Sequence, residues 1–410
     1  MRVRTLLVAT LLGMAGTLVP SVAAAAAPTC ADPAAPLTVS EQRLALPAPA
    51  QILARSGFDR FGRVFTPSLC LLPNNRAAAL AVGVQGRALW AAAVARAQGK
   101  LPPGTLPVTD DRPLYWARLQ LTKALRQWTP SFALSPGERA RLIDVLETTS
   151  RGQDTIGYPP GKLKVLVTGF DPFQLDQDIR RSNPSGVNAL ALDGTVIQTA
   201  SGPARVETAM FPVLWDPFAA GVVERTIRPW LPKVDLFTTI SQGRVGRFDV
   251  ERYNGRWRGG FPDNDNLSRT GVIPVPAGVP TVTPAPEFVP TTLPYAKIVA
   301  TPTGRFPVND NTSVTEIRPG QTVPVVSPAG PTPGSVARAG GGGDYLSNEI
   351  AYRATLLRDA LGLTIPGGHL HTPVLQFGAG NTTELTDPVF EQNQLDIVTQ
   401  VRAVLTVALS

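Results

Sequence analysis

The sequence predicts an α/β protein: a three-layer domain with a largely parallel, twisted sheet between helices, preceded by a mainly helical N-terminal unit. Apolar runs typical of buried strands alternate with helical patterns over the C-terminal two-thirds of the chain, and such alternation favours a parallel sheet. The earlier part of the chain has helical periodicity instead. The length of 410 residues exceeds the usual size of one domain, which favours two folding units.

The first residues have the three-part layout of a secretory signal peptide. Arg2 and Arg4 precede an apolar run over 6–19, and a small-residue stretch ends at Ala27. We therefore expect residues 1–27 to be a leader, cleaved near Ala27, and the mature protein to be secreted to the extracellular side. A membrane-spanning helix needs roughly 20 apolar residues, and no later stretch approaches this without a charge, Pro or Gly. No membrane anchor is expected.

The charge balance does not favour a nucleic-acid partner. The chain has 38 basic and 31 acidic residues, and two of the basic ones fall in the leader. The others are scattered, without a Lys/Arg block or interleaved aromatic residues. No Cys/His cluster has the spacing of metal ligands. We expect neither a metal nor an organic cofactor, and the sequence does not indicate an oligomeric state.

Both cysteines of the sequence, Cys30 and Cys70, lie early in the expected mature chain. In an oxidising compartment they are expected to form one disulfide, with two unpaired buried thiols as the alternative. Pairing would leave no free thiol, which excludes a thiolate nucleophile because only a deprotonated free sulfur attacks.

The N-terminal unit, residues 28–160, is predicted to be mainly helical after an extended start. Residues 87–98 are Ala-rich and amphipathic, and residues 114–128 place leucines near one stripe. Ser135 followed by Pro136 and, three positions on, Glu138 indicates a strong helix start. No catalytic constellation is evident in this unit, so covering, bracing and binding all remain open for it.

The second unit, residues 161–410, is predicted to form the α/β domain. Its strands and helices are expected in alternation: strand 164–168, helix 216–229, strand 234–240, helix 347–360, strand 369–375 and helix 387–408. The segment around 265–340 is rich in Pro, Thr and Gly, which suits an insertion of extended loop and edge structure better than core.

Two short stretches of the second unit carry residue types used in nucleophilic hydrolysis. The histidines of the sequence, His369 and His371, share one face if their stretch is a strand, and any His-dependent hydrolysis must use one of them. Ser347 follows the glycine run 340–343 at a helix start, where backbone N–H groups stabilise an oxyanion. The plain alternatives are a structural strand histidine, and a helix capped by Ser347 or Asp344.

Several short motifs follow one another along the second unit: KVLVTGFDPF from Lys164, NPS from Asn183, FPV from Phe211, ISQG from Ile240, ER from Glu251, PDN from Pro262, TLP from Thr292, GDYLSNEIAY from Gly343 and HTP from His371. In this order they resemble the pyroglutamyl peptidase (pyrrolidone-carboxylate peptidase) family. The resemblance implies an α/β fold and a hydrolase that cleaves an N-terminal pyroglutamyl or similar amide without a cofactor.

Carried over position by position, the resemblance implies the catalytic residues. Ser347 takes the place of the family's nucleophilic cysteine, His371 is the general base, and Glu251 orients and stabilises the imidazolium. His369 becomes the less favoured base. Serine needs its proton removed during attack, so the exchange demands tighter alignment with the base and the oxyanion donors than cysteine does. A Ser-His-Glu triad is nevertheless chemically workable.

The resemblance also implies the substrate-binding residues. Phe170 and Phe173 would form an apolar clamp on the pyroglutamyl ring, for which two aromatic side chains offer area without charge, and Gln242 would be a polar contact. Packing in the core is the alternative for the phenylalanines. The family's arginine ahead of P-D-N falls on Gly260 here, with Arg258 nearby as a substitute.

The leading hypothesis is therefore a secreted hydrolase that acts on a peptide or small amide. The alternative is a catalytically inactive homologue that binds a peptide end or small lactam. A third hypothesis is an interaction module driven by the N-terminal unit.

Overall fold

The structure, a computed structural model, describes residues 30–410. The predicted leader, residues 1–27, lies outside the described residues. The described chain consists of a helical unit followed by a mixed, mostly parallel sheet with helices on both faces. This arrangement confirms the predicted fold class.

The helical unit follows a short extended start at Cys30. Its α-helices within the described chain are α1 Val39–Gln42, α2 Pro47–Ser56, α3 Asp59–Leu69, α4 Asn75–Ala97, α5 Arg112–Gln127 and α6 Pro136–Thr149. Helix α6 begins with the expected capping box, in which Ser135 accepts from the backbone of Glu138 and the Glu138 side chain accepts from the backbone of Ser135. The sequence signal therefore located this helix start correctly.

A disulfide joins Cys30 to Cys70, which confirms the predicted pairing. The two residues are 40 positions apart, and in the chain-entropy model closing a loop of that length stabilises the fold by about 4 kcal/mol. Cys30 packs against the core of the helical unit, which includes Trp116, Leu121 and Leu125.

Helix α4 is the one helix of residues 30–410 that is long and apolar enough to cross a membrane by length and composition. Several of its apolar side chains, among them Val82, Leu89 and Trp90, are buried in the core of the helical unit. A core helix also passes that test, so length and composition alone do not indicate an anchor.

The strands of the described chain, in order, are β1 Leu163–Phe170, β2 Val196–Thr199, β3 Gly202–Phe211, β4 Leu236–Gln242, β5 Phe248–Glu251, β6 Tyr253–Gly255, β7 Trp257–Gly259, β8 Thr270–Val272, β9 Phe288–Pro290, β10 Val308–Asn311, β11 Val314–Ile317, β12 Val325–Ser327, β13 Val336–Ala339 and β14 Gly367–Thr372. Seven of them form the main sheet, in the order β10-β5-β14-β4-β1-β3-β2. Neighbours are parallel except for β14 with β5 and β2 with β3.

The remaining helices of the described chain are α7 Pro184–Leu192, α8 Trp215–Ala219, α9 Val222–Ile227, α10 Tyr295–Ala300, α11 Leu346–Ala360 and α12 Pro388–Ala408. Because successive side chains of a strand point to opposite faces, β1 contributes to two cores. Val165 and Val167 pack with α7 and α12, whereas Leu166 packs with α9 and α11. The result is the three-layer arrangement that the sequence predicted.

The Pro-rich insertion forms small strands around the main sheet. Strand β11 pairs with β12 and β13, and the pairs β6–β9 and β7–β8 are separate two-stranded ladders. Strand β10 lies at the edge of the main sheet, which agrees with the expected edge structure, whereas α10 is a short helix and departs from the expected extended structure. Strands β1, β4 and β14 end at one side of the sheet, where α11 begins, and ligands of open α/β sheets bind outside such strand ends.

Candidate active site

A cavity of about 340 Å³ opens where β1, β4 and β14 end and α11 begins. Residues predicted from the sequence for catalysis and substrate binding all line it: Ser347, His371, Glu251, Phe170, Phe173 and Gln242. The chain brings these residues together from strand ends and loops that are far apart in sequence. Their chemical roles remain predictions.

His371 and Glu251 form a buried pair on neighbouring strands. The Nδ1 atom of His371 lies 2.7 Å from Oε1 of Glu251, and Asn311 donates to the other carboxylate oxygen at 2.6 Å. An ionised carboxylate only accepts hydrogen bonds, so Nδ1 carries the hydrogen and Nε2 is left as a proton acceptor. This is the tautomer that a general base needs.

The glycine run 340–343 wraps closely around this pair. A Cβ atom at Gly341 would overlap Oε2 of Glu251, and one at Gly342 would lie 3.2 Å from Cε1 of His371. On the other side, a Cβ at Gly243 would lie 2.5 Å from Cβ of His371. The glycines are therefore explained by the close approach of backbone to the two side chains.

Ser347 occupies the first turn of α11 and does not cap it. The N-cap is Tyr345, which makes no side-chain capping bond, so the capping alternative for Ser347 and Asp344 does not apply. The Ser347 hydroxyl donates to the carbonyl of Gly342 at 3.0 Å. Proton transfer to His371 would therefore require the hydroxyl to turn away from that carbonyl.

The N–H groups of the glycine run are mostly engaged. Those of Gly340, Gly341 and Gly343 donate to the carbonyls of Gly343, Tyr253 and Gly340, respectively. The first N–H groups of a helix have no intrahelical partner, and no side chain caps α11. The donors best placed for an oxyanion are thus those of the first turn of α11, around Ser347, rather than those of the glycine run.

His369 has a structural environment. It is fully buried, and its Nδ1 lies 2.7 Å from the hydroxyl of Thr239. Burial and the neighbouring His371 lower the pKa of His369 well below its usual value, which keeps the ring neutral. Its ring meets the His371 ring edge to face, with centroids 4.6 Å apart. This supports His371 over His369 as the base.

The two predicted phenylalanines have different surroundings. Phe170 is 3% exposed and stacks on Phe218 in the core, although one edge lines the cavity. Phe173 is partly exposed and stacks on Tyr345, whose ring also meets Phe261 edge to face. The accessible aromatic wall of the cavity is therefore formed by Phe173, Tyr345 and Phe261.

Arg258 does not reach the cavity. Its guanidinium pairs with both oxygens of Glu349 at 2.6 Å, and Arg353 joins Glu349 to Glu224. These buried charges fix the first turns of α11, the helix that carries Ser347. The suggestion that Arg258 substitutes for the family's arginine in the site is therefore wrong.

Sequence reasoning missed several residues that line the cavity. Ser241 is 4% exposed, and its hydroxyl has no hydrogen-bond partner within the described chain. Asp249 is buried and pairs with Arg244 at 3.0 Å, and burial raises the pKa of Asp344 above its usual value. The available signal for Ser241 was its position next to the predicted Gln242 at the end of β4, where both residues line the cavity.

Among residues 30–410, no group of three or more His, Cys, Asp or Glu side chains is placed to hold a metal ion. Two of the acidic side chains at the cavity have close partners: Glu251 bonds His371 and Asn311, and Asp249 bonds Arg244. The arrangement suits acyl transfer, with a hydroxyl, an imidazole and a carboxylate around one opening.

Comparisons with known proteins cover both units. The family described as PA0049 N-terminal domain matches residues 22–147, and the family described as PA0049, C-terminal domain matches residues 164–296 and 295–376. The chain is 33% identical to the uncharacterized protein PA0049 of Pseudomonas aeruginosa over 463 aligned positions, which cover 88% of this chain and 84% of that protein.

Solved structures similar to this chain include pyrrolidone carboxyl peptidases. A mutant of the Pyrococcus furiosus protein matches with 23% identity and a TM-score of 0.41, covering 60% of this chain and 98% of that one. Bacillus amyloliquefaciens pyroglutamyl peptidase I matches with 20% identity and a TM-score of 0.38, covering 60% and 97%.

Proposed function

The chain belongs to the PA0049 family, and on that premise we propose that it is a hydrolase of an N-terminal pyroglutamyl residue or a similar amide, with Ser347 as nucleophile. The observation that carries the proposal is the convergence of Ser347 with the bonded pair of His371 and Glu251 at one cavity. A nucleophile, a base and a group that orients the base are the parts that acyl transfer requires.

In the proposed reaction, the Ser347 hydroxyl turns from the Gly342 carbonyl toward His371 and attacks the amide carbonyl carbon. His371 takes the hydroxyl proton, and Glu251 stabilises the resulting imidazolium. The first turn of α11 stabilises the oxyanion through its N–H groups and the positive end of the helix dipole. The C–N bond then breaks, and His371 gives the proton to the departing amine. Water, activated by the same ring, hydrolyses the acyl-serine.

The side chains that line the cavity are suited to bind a small, neutral acyl group. Phe173, Tyr345 and Phe261 offer aromatic area for a flat ring. Gln242 offers a polar contact beside it, as does the hydroxyl of Ser241, which has no partner in the described part of the chain. A lactam has one carbonyl and one N–H within a flat apolar ring. The ring suits the aromatic walls of the cavity, and the carbonyl and N–H suit its polar contacts.

We also propose that the protein acts after export. The proposal rests on the leader pattern of residues 1–27, and the disulfide between Cys30 and Cys70 is the kind of bond that persists in an oxidising compartment. Expression with residues 1–27 fused to a reporter, followed by fractionation, tests it; a reporter retained inside the cell would contradict it.

The test of the hydrolase proposal compares the purified protein from residue 28 onward with Ser347→Ala. We expect release of the chromophore from a pyroglutamyl anilide by the parent chain and a loss of at least about a thousandfold in Ser347→Ala. A serine-directed fluorophosphonate should label the parent and not the variant. Background release by both proteins together with no labelling would rule the proposal out.

The hydrogen bond from Ser347 to Gly342 favours one second candidate, a binding protein for a peptide end or small lactam. In that case the hydroxyl is a structural donor, and calorimetric titration with pyroglutamate should give the same heat of binding for the parent and for Ser347→Ala. Binding without turnover in the parent would select this function over hydrolysis.

A further inference from the structure

We propose that the N-terminal helical unit holds the substrate side of the cavity in its working shape, with Arg118 and Arg151 as positioning residues. The segment concerned, called here the aromatic loop, comprises residues 170–183. It begins with Phe170 and Phe173 and ends at Asn183, all of which line the cavity. This inference gives the helical unit a role in the activity, and its ligand-binding part rests on the proposed function.

Asp171, between the two phenylalanines, is the point of attachment. Arg118 of α5 donates to one of its carboxylate oxygens at 2.8 Å, and Arg151, just after α6, pairs with the other. All three side chains are at most 4% exposed. Two cations from the helical unit therefore enclose one anion of the aromatic loop, inside the protein.

The two arginines are themselves fixed. Arg118 also donates to the hydroxyl and carbonyl oxygens of Ser150, at 2.9 and 3.1 Å, and Arg151 donates to Glu147. Buried ions are stable only when their geometry and remaining hydrogen bonds are satisfied. Displacement of Asp171 would leave Arg118 without a carboxylate partner and Arg151 with Glu147 alone, so the aromatic loop has one strongly preferred position.

The far end of the aromatic loop is also attached to the helical unit, here through hydrogen bonds to one side chain. Asp111, immediately before α5, bonds the hydroxyl of Ser182 at 2.5 Å and the backbone N–H of Asn183 at 3.0 Å. Asn183 in turn donates to the carbonyl of Asp171 at 2.8 Å. Both ends of the loop are therefore connected to each other and to the helical unit.

A third connection runs through the P-D-N motif. Asn264 donates to the carbonyl of Pro172 at 2.8 Å, and the carbonyl of Asn264 accepts from Arg43 and Ser40 of the helical unit. Arg43 also pairs with Asp176 within the aromatic loop. The residues around Phe173 are thus attached at several points to helices that lie outside the α/β unit.

The consequence for binding is a preformed wall. Ordering a mobile loop around a ligand reduces affinity, and a wall held in place before binding avoids that loss. Because the contacts hold Asp171 and Pro172, which lie between Phe170 and Phe173, rather than Ser347, loosening them should weaken substrate binding more than it slows the chemical step.

The experiment measures loop mobility and kinetics in Arg118→Gln, which removes the charge, and in Arg118→Lys, which keeps it. Hydrogen exchange should become at least about tenfold faster over residues 170–183 in Arg118→Gln, with β4 and residues 163–169 of β1 unchanged. KM for a pyroglutamyl anilide should rise at least about fivefold with kcat within about twofold. Arg118→Lys should recover part of both effects.

Arg96→Gln is the matched control, because Arg96 is an equally buried arginine whose hydrogen bonds go to carbonyls of residues 103–110 inside the helical unit. In Arg96→Gln, hydrogen exchange should become faster over residues 103–110 and keep the parent rate over residues 170–183. Unchanged exchange at 170–183 in Arg118→Gln, or an equal rise there in Arg96→Gln, would overturn the inference. The exchange measurement needs no turnover, so a parent chain without activity would refute the hydrolase proposal and leave this inference to be decided separately.

Discussion

The Nδ1 atom of His371 lies 2.7 Å from Oε1 of Glu251, across two antiparallel strands, and the Glu251 side chain is fully buried while the His371 side chain is 8% exposed at the cavity. Asn311 occupies the second oxygen of the carboxylate. Both oxygens of the Glu251 carboxylate are therefore hydrogen-bonded. With Nδ1 donating to Glu251, the His371 ring has only Nε2 left as an acceptor.

Glu251→Gln should lower kcat for a pyroglutamyl anilide at least about a hundredfold while the chain stays folded. The amide must direct its NH₂ group either at Nδ1 of His371, which forces the wrong tautomer, or at the Asn311 amide, which is also a donor. Steady-state kinetics, together with a thermal unfolding curve for each protein, measure the effect.

Glu316→Gln is the control for this change. Glu316 is as buried as Glu251, but it lies in the small sheet and bonds Ser327 and Thr332. We expect a lower melting temperature and a kcat within about twofold of the parent. A similar loss of kcat in both variants would mean that Glu251 acts only through stability.

Gly341→Ala should lower kcat at least about tenfold, because the new methyl group would overlap Oε2 of Glu251 and displace the carboxylate from His371. Gly380→Ala is the matched control, since a Cβ there meets no atom of residues 30–410 within 4 Å. Kinetics on both variants measure the difference. Unaltered kcat in Gly341→Ala would show that the carboxylate position does not limit the reaction.

The alternation of strands and helices was readable from the sequence where each element has a strong local pattern. Helix α12 and strand β1 have clear apolar patterns and were expected within a few residues of their observed bounds. Helix α7 was missed because every one of its residues is buried, so it has no polar face to produce a helical period. Strand β5 was missed because its four residues include Asp249 and Glu251, which are rare in buried strands.

The site was predictable only as far as motifs and the small number of histidines allowed. His371, Ser347 and Glu251 were identified because each falls in a short motif, but their partners depend on non-local contacts. Nothing in the local sequence indicates that Asn311 bonds Glu251, or that Arg118 reaches Asp171 across 53 positions. Such pairs are set by the packing of whole elements, which periodicity does not report.

Ser241→Ala should stabilise the free protein and weaken ligand binding. Its buried hydroxyl has no partner within residues 30–410, and an unsatisfied buried polar group costs about 1–3 kcal/mol. Because the hydroxyl lines the cavity, a bound ligand can supply the missing partner. We expect a gain of about 1 kcal/mol in the free energy of unfolding and a KM at least about threefold higher.

Thr168→Val separates the two effects of Ser241→Ala. Thr168 lies on the neighbouring strand β1, and its hydroxyl is also buried and unpaired within the described residues, but it is not part of the cavity wall. We expect Thr168→Val to raise the free energy of unfolding and to leave KM unchanged. If Ser241→Ala changes stability and leaves KM at the parent value, Ser241 makes no contact with the substrate.

Asp111→Asn should remove a pH dependence of stability. Burial, followed by the neighbouring Asp110, raises the pKa of Asp111 to about 8, so the folded state binds this proton more tightly than the unfolded state. The contribution is complete below about pH 4 and is lost as the pH rises through about 8, with a slope of up to about 1.4 kcal/mol per pH unit. The Ser182 hydroxyl and the Asn183 N–H both donate to the Asp111 carboxyl. In Asp111→Asn the side-chain oxygen can keep the bond from Asn183, and the Ser182 hydroxyl can turn to accept from the NH₂ group, as it would from a protonated acid. In urea unfolding at about pH 5 and about pH 8, the parent should lose stability at the higher pH and Asp111→Asn should lose less, by at least about 1 kcal/mol.

Asp144→Asn is the control, because this carboxyl is exposed and the variant should keep the parent's dependence of stability on pH. An equal dependence in Asp111→Asn would show that Asp111 is ionised in the folded protein across this range.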